Sequence, residues 1–404
     1  MTVNNKNKIE ILAPAGNWAM LRAAVDAGAD AVYFGVQGFN MRATARNFKV
    51  SELGRIVEYC HENKIKVYLT VNTIVYENEI GKVKNLLKKA KMAGIDAVIC
   101  WDFVVLKEAK RLGLEIHVST QASVSNSEAA NFYYKLGARR CVLARECTLE
   151  QIREIKKSTR MKIEVFAHGA MCVSVSGRCF ISQFLYGRSA NRGDCIQPCR
   201  RSYDKYLLKD KEEDKELVLG NDYVMSPKDL CTLPFLDKIL PFVDVLKIEG
   251  RARNPEYVGV VVKAYRDAVD AIRSGKFSKE FVKGKMKKLH EVYNRGFSSG
   301  FFLGKPINEF TDDYGSKAEK RKVNLGVVKN YYRKVGVAEI KINTNEVKLG
   351  DTVIIIGDTT GVVEQTVGSI EINHRPVKAA GKGKSVAVKV EKVVRKNDRV
   401  FLWK

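Results

Sequence analysis

The sequence contains no apolar run approaching the roughly 20 residues that a helix needs to cross a bilayer. Its N-terminal stretch, MTVNNKNKIEILAPAG, also lacks the apolar segment of a secretory signal. These absences predict a cytoplasmic protein that has no membrane partner. In a reducing compartment the nine cysteines are not expected to form a disulfide framework, and a local cluster of them indicates a metal site or a catalytic thiol.

Several common catalytic motifs are missing as well. The sequence has no HExxH, no GxSxG and no GxGxxG after a strand, so hydrolysis and nucleotide chemistry have little support. One nucleophile arrangement is left, in which Cys172 is paired with His168 four residues before it. That pair is the basis of a protease alternative.

Acidic residues are scarce relative to basic ones. There are 46 Asp and Glu against 70 Lys and Arg, which gives a formal net charge of +24. A charge of this size favours a polyanionic partner such as nucleic acid. The alternative is a basic surface without any partner.

What the sequence does contain is a regular alternation of short Val- and Ile-rich strands with amphipathic helices. The eight predicted strands are residues 10–15, 31–36, 66–71, 97–102, 115–120, 140–145, 164–169 and 244–250. Eight such units predict a (β/α)8 TIM-like barrel, with an open doubly wound sheet as the alternative.

The pattern changes near the C-terminus, which predicts a second domain. Residues 1–311 are assigned to the barrel, with a cysteine-rich insertion over 168–235 and closing helices, and residues 312–322 to a linker. Residues 323–404 show short alternating segments between turns, which predict a small all-β barrel of five or six strands. Its segments LGDTVIIIG and EQTVGSIEI resemble the β-barrel domain of translation elongation factors, a type of module that often contacts RNA.

The stretch from His168 to Tyr203 is the candidate site. It combines four cysteines, five arginines and four glycines without a helical or strand period, and it begins where the seventh strand ends. In a barrel of this type the chemistry lies at the C-terminal ends of the strands. Because no CxxC pair occurs, spacing alone leaves an iron-sulfur cluster, a zinc site and reactive thiols all open.

Several segments together resemble the peptidase U32 family. They are LAPAGN (12–17), DAVYFGV (30–36), HGAMCVSVSGRC (168–179), RSANRGDCIQPCR (188–200), SPKDLC (226–231), LKIEGR (246–251) and NRGFSSGFF (294–302). The resemblance runs through almost the whole chain. It implies hydroxylation of a tRNA wobble uridine linked to prephenate, of a ribosomal RNA cytidine, or of the ubiquinone ring, whereas an older label of the family is collagenase-like protease.

The resemblance also implies a [4Fe-4S] cluster. Carried over to this sequence, its ligands are Cys172, Cys179, Cys195 and Cys231, and Cys199 remains a fifth cysteine of undecided use. Hydroxylation of tRNA is the favoured function, because the RSANRGDCIQPCR form is similar to that of RNA-acting members and the charge agrees. The alternatives are a peptidase, hydroxylation of ribosomal RNA cytidine, and a non-catalytic RNA-binding scaffold with a structural cluster.

The remaining site residues are predicted from their positions at the barrel rim. His168 and Glu249 are proposed for proton transfer, although a hydrogen-bonded loop histidine and an ion-paired carboxylate are equally good interpretations. Four arginines are proposed to bind an anionic small molecule such as prephenate or the RNA backbone: Arg46, Arg188, Arg192 and Arg251. The expected partner is RNA, tRNA before ribosomal RNA, and the chain is expected to form a homo-oligomer or to pair with a family paralogue.

Overall fold

A computed structural model describes residues 8–404 except for 44, 176, 202–206, 210–215, 219–225, 307–308 and 312–314. Parts of the predicted insertion (168–235) and of the predicted linker (312–322) therefore lie outside the described residues. Within the described part, no helix is long and apolar enough to cross a membrane.

The first part of the chain forms a closed parallel barrel, as the sequence predicted. Its first seven strands are β1 (Glu10–Pro14), β2 (Ala31–Phe34), β3 (Lys66–Thr70), β4 (Ala97–Cys100), β5 (Glu115–Val118), β6 (Arg140–Val142) and β7 (Lys162–Gly169). The short strands β8 (Leu207–Lys209), β9 (Glu216–Val218) and β10 (Asp229–Cys231) follow, and then β11 (Val245–Ile248) and β12 (Phe297–Ser298). The eight-stranded ring closes because β11 pairs in parallel with both β1 and β7.

Helices surround this barrel. Those between strands are α1 (Trp18–Asp26), α2 (Leu53–Glu62), α3 (Ile80–Met92), α4 (Phe103–Arg111), α5 (Ser127–Leu136), α6 (Leu149–Lys157), α7 (Ile181–Tyr186) and α8 (Leu236–Ile239). The closing helices are α9 (Pro255–Arg273) and α10 (Lys279–Glu291). Side-chain caps fix the first residues of α1 and α4. The side chain of Asn17 accepts a hydrogen bond from Met20 N, and that of Asp102 accepts one from Val104 N, so both rim residues are helix caps.

An additional strand, β10, pairs with the C-terminal end of the barrel strand β7. β10 pairs antiparallel with β7, with Cys231 opposite His168, and it pairs in parallel with β12. The sequence did not predict either β10 or β12. This pairing fixes where the chain returns after the cysteine-rich segment.

The C-terminal region forms antiparallel sheets. Its strands are β13 (Lys322–Tyr332), β14 (Val337–Ile342), β15 (Glu346–Lys348), β16 (Thr352–Gly357), β17 (Gly361–Thr366), β18 (Glu371–Ile372), β19 (Arg375–Pro376), β20 (Ala379–Gly381), β21 (Ser385–Lys389) and β22 (Arg399–Trp403). Eight of them form one sheet, and β15 pairs with β20 in a second. The all-β class is as predicted, but the strands are more numerous than the five or six expected.

This C-terminal region packs on the barrel through strand β16. Val353 and Ile355 face the core between the antiparallel strands, whereas Ile354 and Ile356 belong to the core of the barrel. Trp403 of β22 joins the barrel core as well. Both faces of β16 are therefore buried, which accounts for its unbroken apolar sequence VIII.

Candidate active site

The cysteine-rich segment is held over the mouth of the barrel by loops that follow earlier strands. The carbonyl of Gly193 accepts a hydrogen bond from Ala43 N (3.0 Å). Arg192 Nη1 donates to the carbonyl of Ile74 (2.5 Å), and its guanidinium forms an ion pair with Glu79. Arg178 Nη2 donates to the carbonyl of Gln121 (2.8 Å). The loops after β2, β3 and β5 thus fix the position of this segment.

Gly193 is required at its position for steric reasons. Its φ is +81°, and a Cβ there would lie 2.1 Å from the carbonyl oxygen of Asn40. Any side chain would therefore push the cysteine-rich segment away from the loop after β2.

Four cysteines line one cavity of about 190 Å³ at the barrel mouth. They are Cys172, which is exposed, and Cys179, Cys195 and Cys199, which are half-buried. Burial raises the pKa values of the Cys195 and Cys199 thiols, and neighbouring cysteines add to the shift. The sequence predicted three of these four thiols as ligands.

Cys231, the fourth predicted ligand, does not line this cavity. It is buried, and its Sγ lies 3.9 Å from Tyr265 Oη and 3.8 Å from Met286 Sδ. Burial raises the pKa of its thiol to about 12. The structure therefore brings Cys199, and not Cys231, to the other three thiols.

These thiols match an iron-sulfur cluster in type and number, since such clusters are bound by four cysteine thiolates. In the arrangement of the described residues, no three His, Cys, Asp or Glu side chains are close enough together to hold a metal ion. Binding a cluster would thus require a different arrangement of the thiols from the one in this structure.

A second, smaller cavity of about 40 Å³ lies deeper in the mouth, and cations dominate it. Its charged side chains are Arg42, Arg145, Lys247, Arg251 and Glu249. Arg251 Nη1 donates to Thr70 Oγ1 (2.9 Å) and Asn40 Oδ1 (3.2 Å), and burial lowers its pKa to about 10. Lys247 is neutralised by the buried Glu164 and Arg42 is paired with Glu249, so Arg145 and Arg251 carry the positive charge that suits this cavity to a small anion.

Arg145 retains hydrogen-bonding capacity in this cavity. Its guanidinium stacks on Phe166, 3.9 Å from the ring centroid, and its Nη1 donates to the carbonyl of Ala170 (2.8 Å). Its buried Nε has no hydrogen-bond partner among the described residues. A buried donor without a partner is costly, and this one leaves a hydrogen bond available to an anion in the cavity.

Glu249 lines both cavities and so connects them. Its Oε1 accepts from Arg42 Nη2 at 3.2 Å. Burial alone would raise its pKa, but Arg42 and further arginines outweigh burial and lower that pKa to about 2. Glu249 is therefore a carboxylate at neutral pH that could accept a proton or orient an arginine.

His168 lies behind the mouth and lines neither cavity. Its Nδ1 is 3.4 Å from Tyr265 Oη, and its ring packs against Tyr257, Tyr265 and Phe297. Burial, with a smaller contribution from Arg253, lowers its pKa to about 3, so the imidazole is neutral. Its role in proton transfer stays a prediction.

The predicted substrate-binding arginines occupy different places. Arg251 is in the mouth, whereas Arg192 is bound to Glu79 and supports the cysteine-rich segment. Arg188 forms an exposed ion pair with Asp194 (2.5 Å). Arg46 lines a cleft between the barrel and the C-terminal region, and Arg251 lines that cleft as well. The structure does not bring these four arginines together.

Sequence reasoning had missed two cations of the mouth. Arg145 lies three residues after the end of β6 and Lys247 lies within β11, so position relative to the strands was the signal that could have identified them. Lys247 Nζ is bound to Glu164 at 2.8 Å, which holds it in the barrel interior.

The fold and site define a (β/α)8-barrel protein whose thiols and cations meet at the C-terminal face of the barrel, where enzymes of this fold have their active sites. The family model described as peptidase family U32 matches residues 16–312. The chain belongs to this family, whose members carry the names of enzymes.

Relatives of this chain carry two kinds of name. An uncharacterized protease of Methanocaldococcus jannaschii is 44% identical, over 98% of both chains. A collagenase of Porphyromonas gingivalis is 42% identical, also over 98% of both chains. A tRNA hydroxylation protein of Bacillus subtilis is 37% identical over 81% of this chain and 80% of its own length.

Proposed function

We propose that this protein hydroxylates RNA at a cluster-dependent site in the barrel mouth, and that its substrate is the C5 position of the tRNA wobble uridine. The observation that carries the proposal is the junction at Glu249, where a cavity lined by four cysteines meets a cavity lined by four cations. The relative named as a tRNA hydroxylation protein supports RNA as the substrate class.

Cys172, Cys179 and Cys195 would hold the cluster together with one further thiol. When bound, a cluster with cysteine ligands supplies electron transfer. Converting C–H to C–OH is a two-electron oxidation that takes oxygen from a donor, so electron transfer beside the substrate fits this chemistry. The chain's own part is to orient the reactants and to hold charge.

Arg42, Arg145 and Arg251 would bind the small anion. Prephenate has two carboxylates, and one of them would enter this cavity of about 40 Å³ while the rest of the molecule lies outside it. Glu249 is ionised and contacts Arg42, so it would orient that arginine; its low pKa makes it a weak proton acceptor.

Two measurements test this proposal. Anaerobic purification should yield a brown protein containing iron and sulfide, and a colourless protein with stoichiometric zinc would contradict the cluster. Nucleoside mass spectrometry of tRNA from a deletion strain should show loss of the hydroxylated uridine, which the intact gene restores.

If the protein is instead a peptidase, as the older family label implies, the same experiments have different results. If tRNA and ribosomal RNA of the deletion strain retain every hydroxylated nucleoside, and the purified protein cleaves collagen or gelatin, the protein is a peptidase. A Cys172→Ala variant that still cleaves would then exclude Cys172 as the nucleophile.

A further inference from the structure

A large cleft lies between parts of the barrel and of the C-terminal region, next to the site described above. Its volume is about 810 Å³, and residues of both parts line it. The barrel side includes the loop after β11, and the other side is formed by the turn after β16 and the loop before β22. This size suits a ligand of several groups and not a single ion.

The cleft is strongly cationic. Six basic side chains other than Arg251 line it: Arg46, Arg253, Lys322, Arg395, Lys396 and Arg399. Only two carboxylates, Asp358 and Asp398, are among its lining residues. Asp398 is buried and accepts hydrogen bonds from Thr360 Oγ1 and Arg395 N, so it is turned toward its own domain.

Backbone dipoles add to this positive charge. Asn17 and Asn254, the residues before α1 and α9, both line the cleft, so the N-termini of two helices open onto it. Helix N-termini carry a partial positive charge and bind phosphate groups.

The cleft adjoins the candidate active site. Ala252 and Arg253 line both the cleft and the cavity that contains the four cysteines, and Arg251 lines both the cleft and the cationic mouth. The loop of residues 251–253 is thus a wall shared by all three. An RNA strand bound in the cleft would therefore place its next nucleotide beside the barrel mouth.

We propose that this interdomain cleft binds the phosphate backbone of the RNA strand whose base enters the barrel mouth. The proposal rests on RNA as the substrate of the proposed function. It gives the C-terminal region a role, because that region supplies Arg395, Lys396 and Arg399 to the same strand. Several phosphates in contact with these cations would make binding strongly salt-dependent.

The test replaces Arg395, Lys396 and Arg399 with glutamine in the full-length protein. All three side chains are exposed, so the fold should tolerate the changes, and thermal melting verifies this. The control changes Lys107, Lys110 and Lys135 to glutamine; these exposed lysines lie on α4 and α5 near strand β5, across the barrel from β1. Both triple variants lose the same charge.

Binding is measured by fluorescence anisotropy with end-labelled bulk tRNA from a strain that lacks the protein. We expect the cleft variant to bind at least tenfold more weakly, and the slope of log affinity against log salt to fall by about 2, since each lost single-strand phosphate contact contributes roughly 0.7. The control should match the unchanged protein.

Equal weakening in both variants would overturn the proposal, because overall charge would then explain binding. Unchanged binding by the cleft variant would also overturn it. In that case the proposed function would still stand if the deletion strain lacks the hydroxylated nucleoside. Cleft-dependent binding of tRNA in a protein whose deletion removes no hydroxylated nucleoside would support the cleft and contradict the proposed function.

Discussion

At the scale of single residues, the identity of the fourth thiol ligand is the sharpest question. The resemblance to the family predicted Cys231, whereas Cys199 shares a cavity with the other three cysteines. For the Cys231 thiol to reach that cavity, it would have to leave its contacts with Tyr265 and Met286.

We expect Cys172→Ala, Cys179→Ala, Cys195→Ala and Cys199→Ala each to lose most of the visible absorbance and bound iron after anaerobic purification. Cys60→Ala is the control, because Cys60 is buried in the barrel core. Loss of iron in Cys231→Ala together with full retention in Cys199→Ala would show instead that Cys231 is the fourth ligand.

Two buried histidines predict how stability depends on pH. Burial lowers the pKa of His168 to about 3 and that of His117 to about 4, whereas an unfolded histidine titrates near 6.5. The unfolded state therefore takes up protons first as the pH falls. The stability due to the neutral rings is complete above about pH 6.5 and is lost progressively below it.

Between pH 6.5 and pH 5 we expect the free energy of unfolding to fall by about 2 kcal/mol for each of these histidines. Urea denaturation at a series of pH values measures this. His168→Phe should roughly halve the fall, because a phenyl ring fits among the same aromatic neighbours. His374→Asn, at an exposed turn, should leave it unchanged; an undiminished fall in His168→Phe would contradict the argument.

At the scale of structural elements, the cysteine-rich segment depends on its close contact with the loop after β2. Gly193→Ala would place a methyl group against the carbonyl of Asn40. Gly187→Ala adds a methyl group at a residue whose φ is also positive (+65°), but no atom lies within 4 Å of that methyl group. The backbone strain, about 1–2 kcal/mol, is common to both variants. Their difference therefore reports the contact alone.

We expect Gly193→Ala to lose at least half of its bound iron and Gly187→Ala to retain nearly all of it. Iron and sulfide analysis after anaerobic purification measures this. Equal iron content in the two variants would mean that the contact with Asn40 does not determine the position of the thiols.

The sequence predicted the barrel strands well, because each is a run of Val and Ile flanked by turns. AVICWD, for example, gives β4 over Ala97–Cys100, and the following Asp102 is the cap of α4. Strands β10 and β12 were missed because three and two residues are too short to show a period. The same limit explains the undercounted C-terminal strands.

The site was only partly predictable for a different reason. Sequence order alone placed Cys172, Cys179 and Cys195 in one segment with His168. Which further thiol joins them depends on how β10, which contains Cys231, pairs with β7. Arg145 was missed because it is adjacent in sequence to a strand and distant in sequence from the cysteines it approaches. Such contacts have no local pattern.

At the scale of the whole molecule, the two parts of the chain share a core. Ile354, Ile356 and Trp403 belong to the C-terminal strands and are buried with residues of the barrel. Arg22 of α1 also donates to the carbonyl of Asp358 (2.9 Å). We therefore expect barrel and C-terminal region to unfold in one cooperative transition.

Ile354→Asp should split this transition in two, because a buried unpaired carboxylate at the interface costs several kcal/mol. Differential scanning calorimetry measures the number of transitions. Val335→Asp, at a position 63% exposed, serves as the control and should keep a single transition. Two transitions in the unchanged protein would contradict the shared core.

The way the cysteine-rich segment is held has a consequence for the order of maturation. Its anchors, Ala43, Glu79 and Gln121, belong to loops after three barrel strands that precede it in the chain. The thiols are therefore positioned only once these three strands and the loops after them have folded, whereas β11, which closes the ring, lies later in the chain. Under the proposed function, metal loading would then follow this folding step, because the contacts that position the thiols exist only in the folded protein.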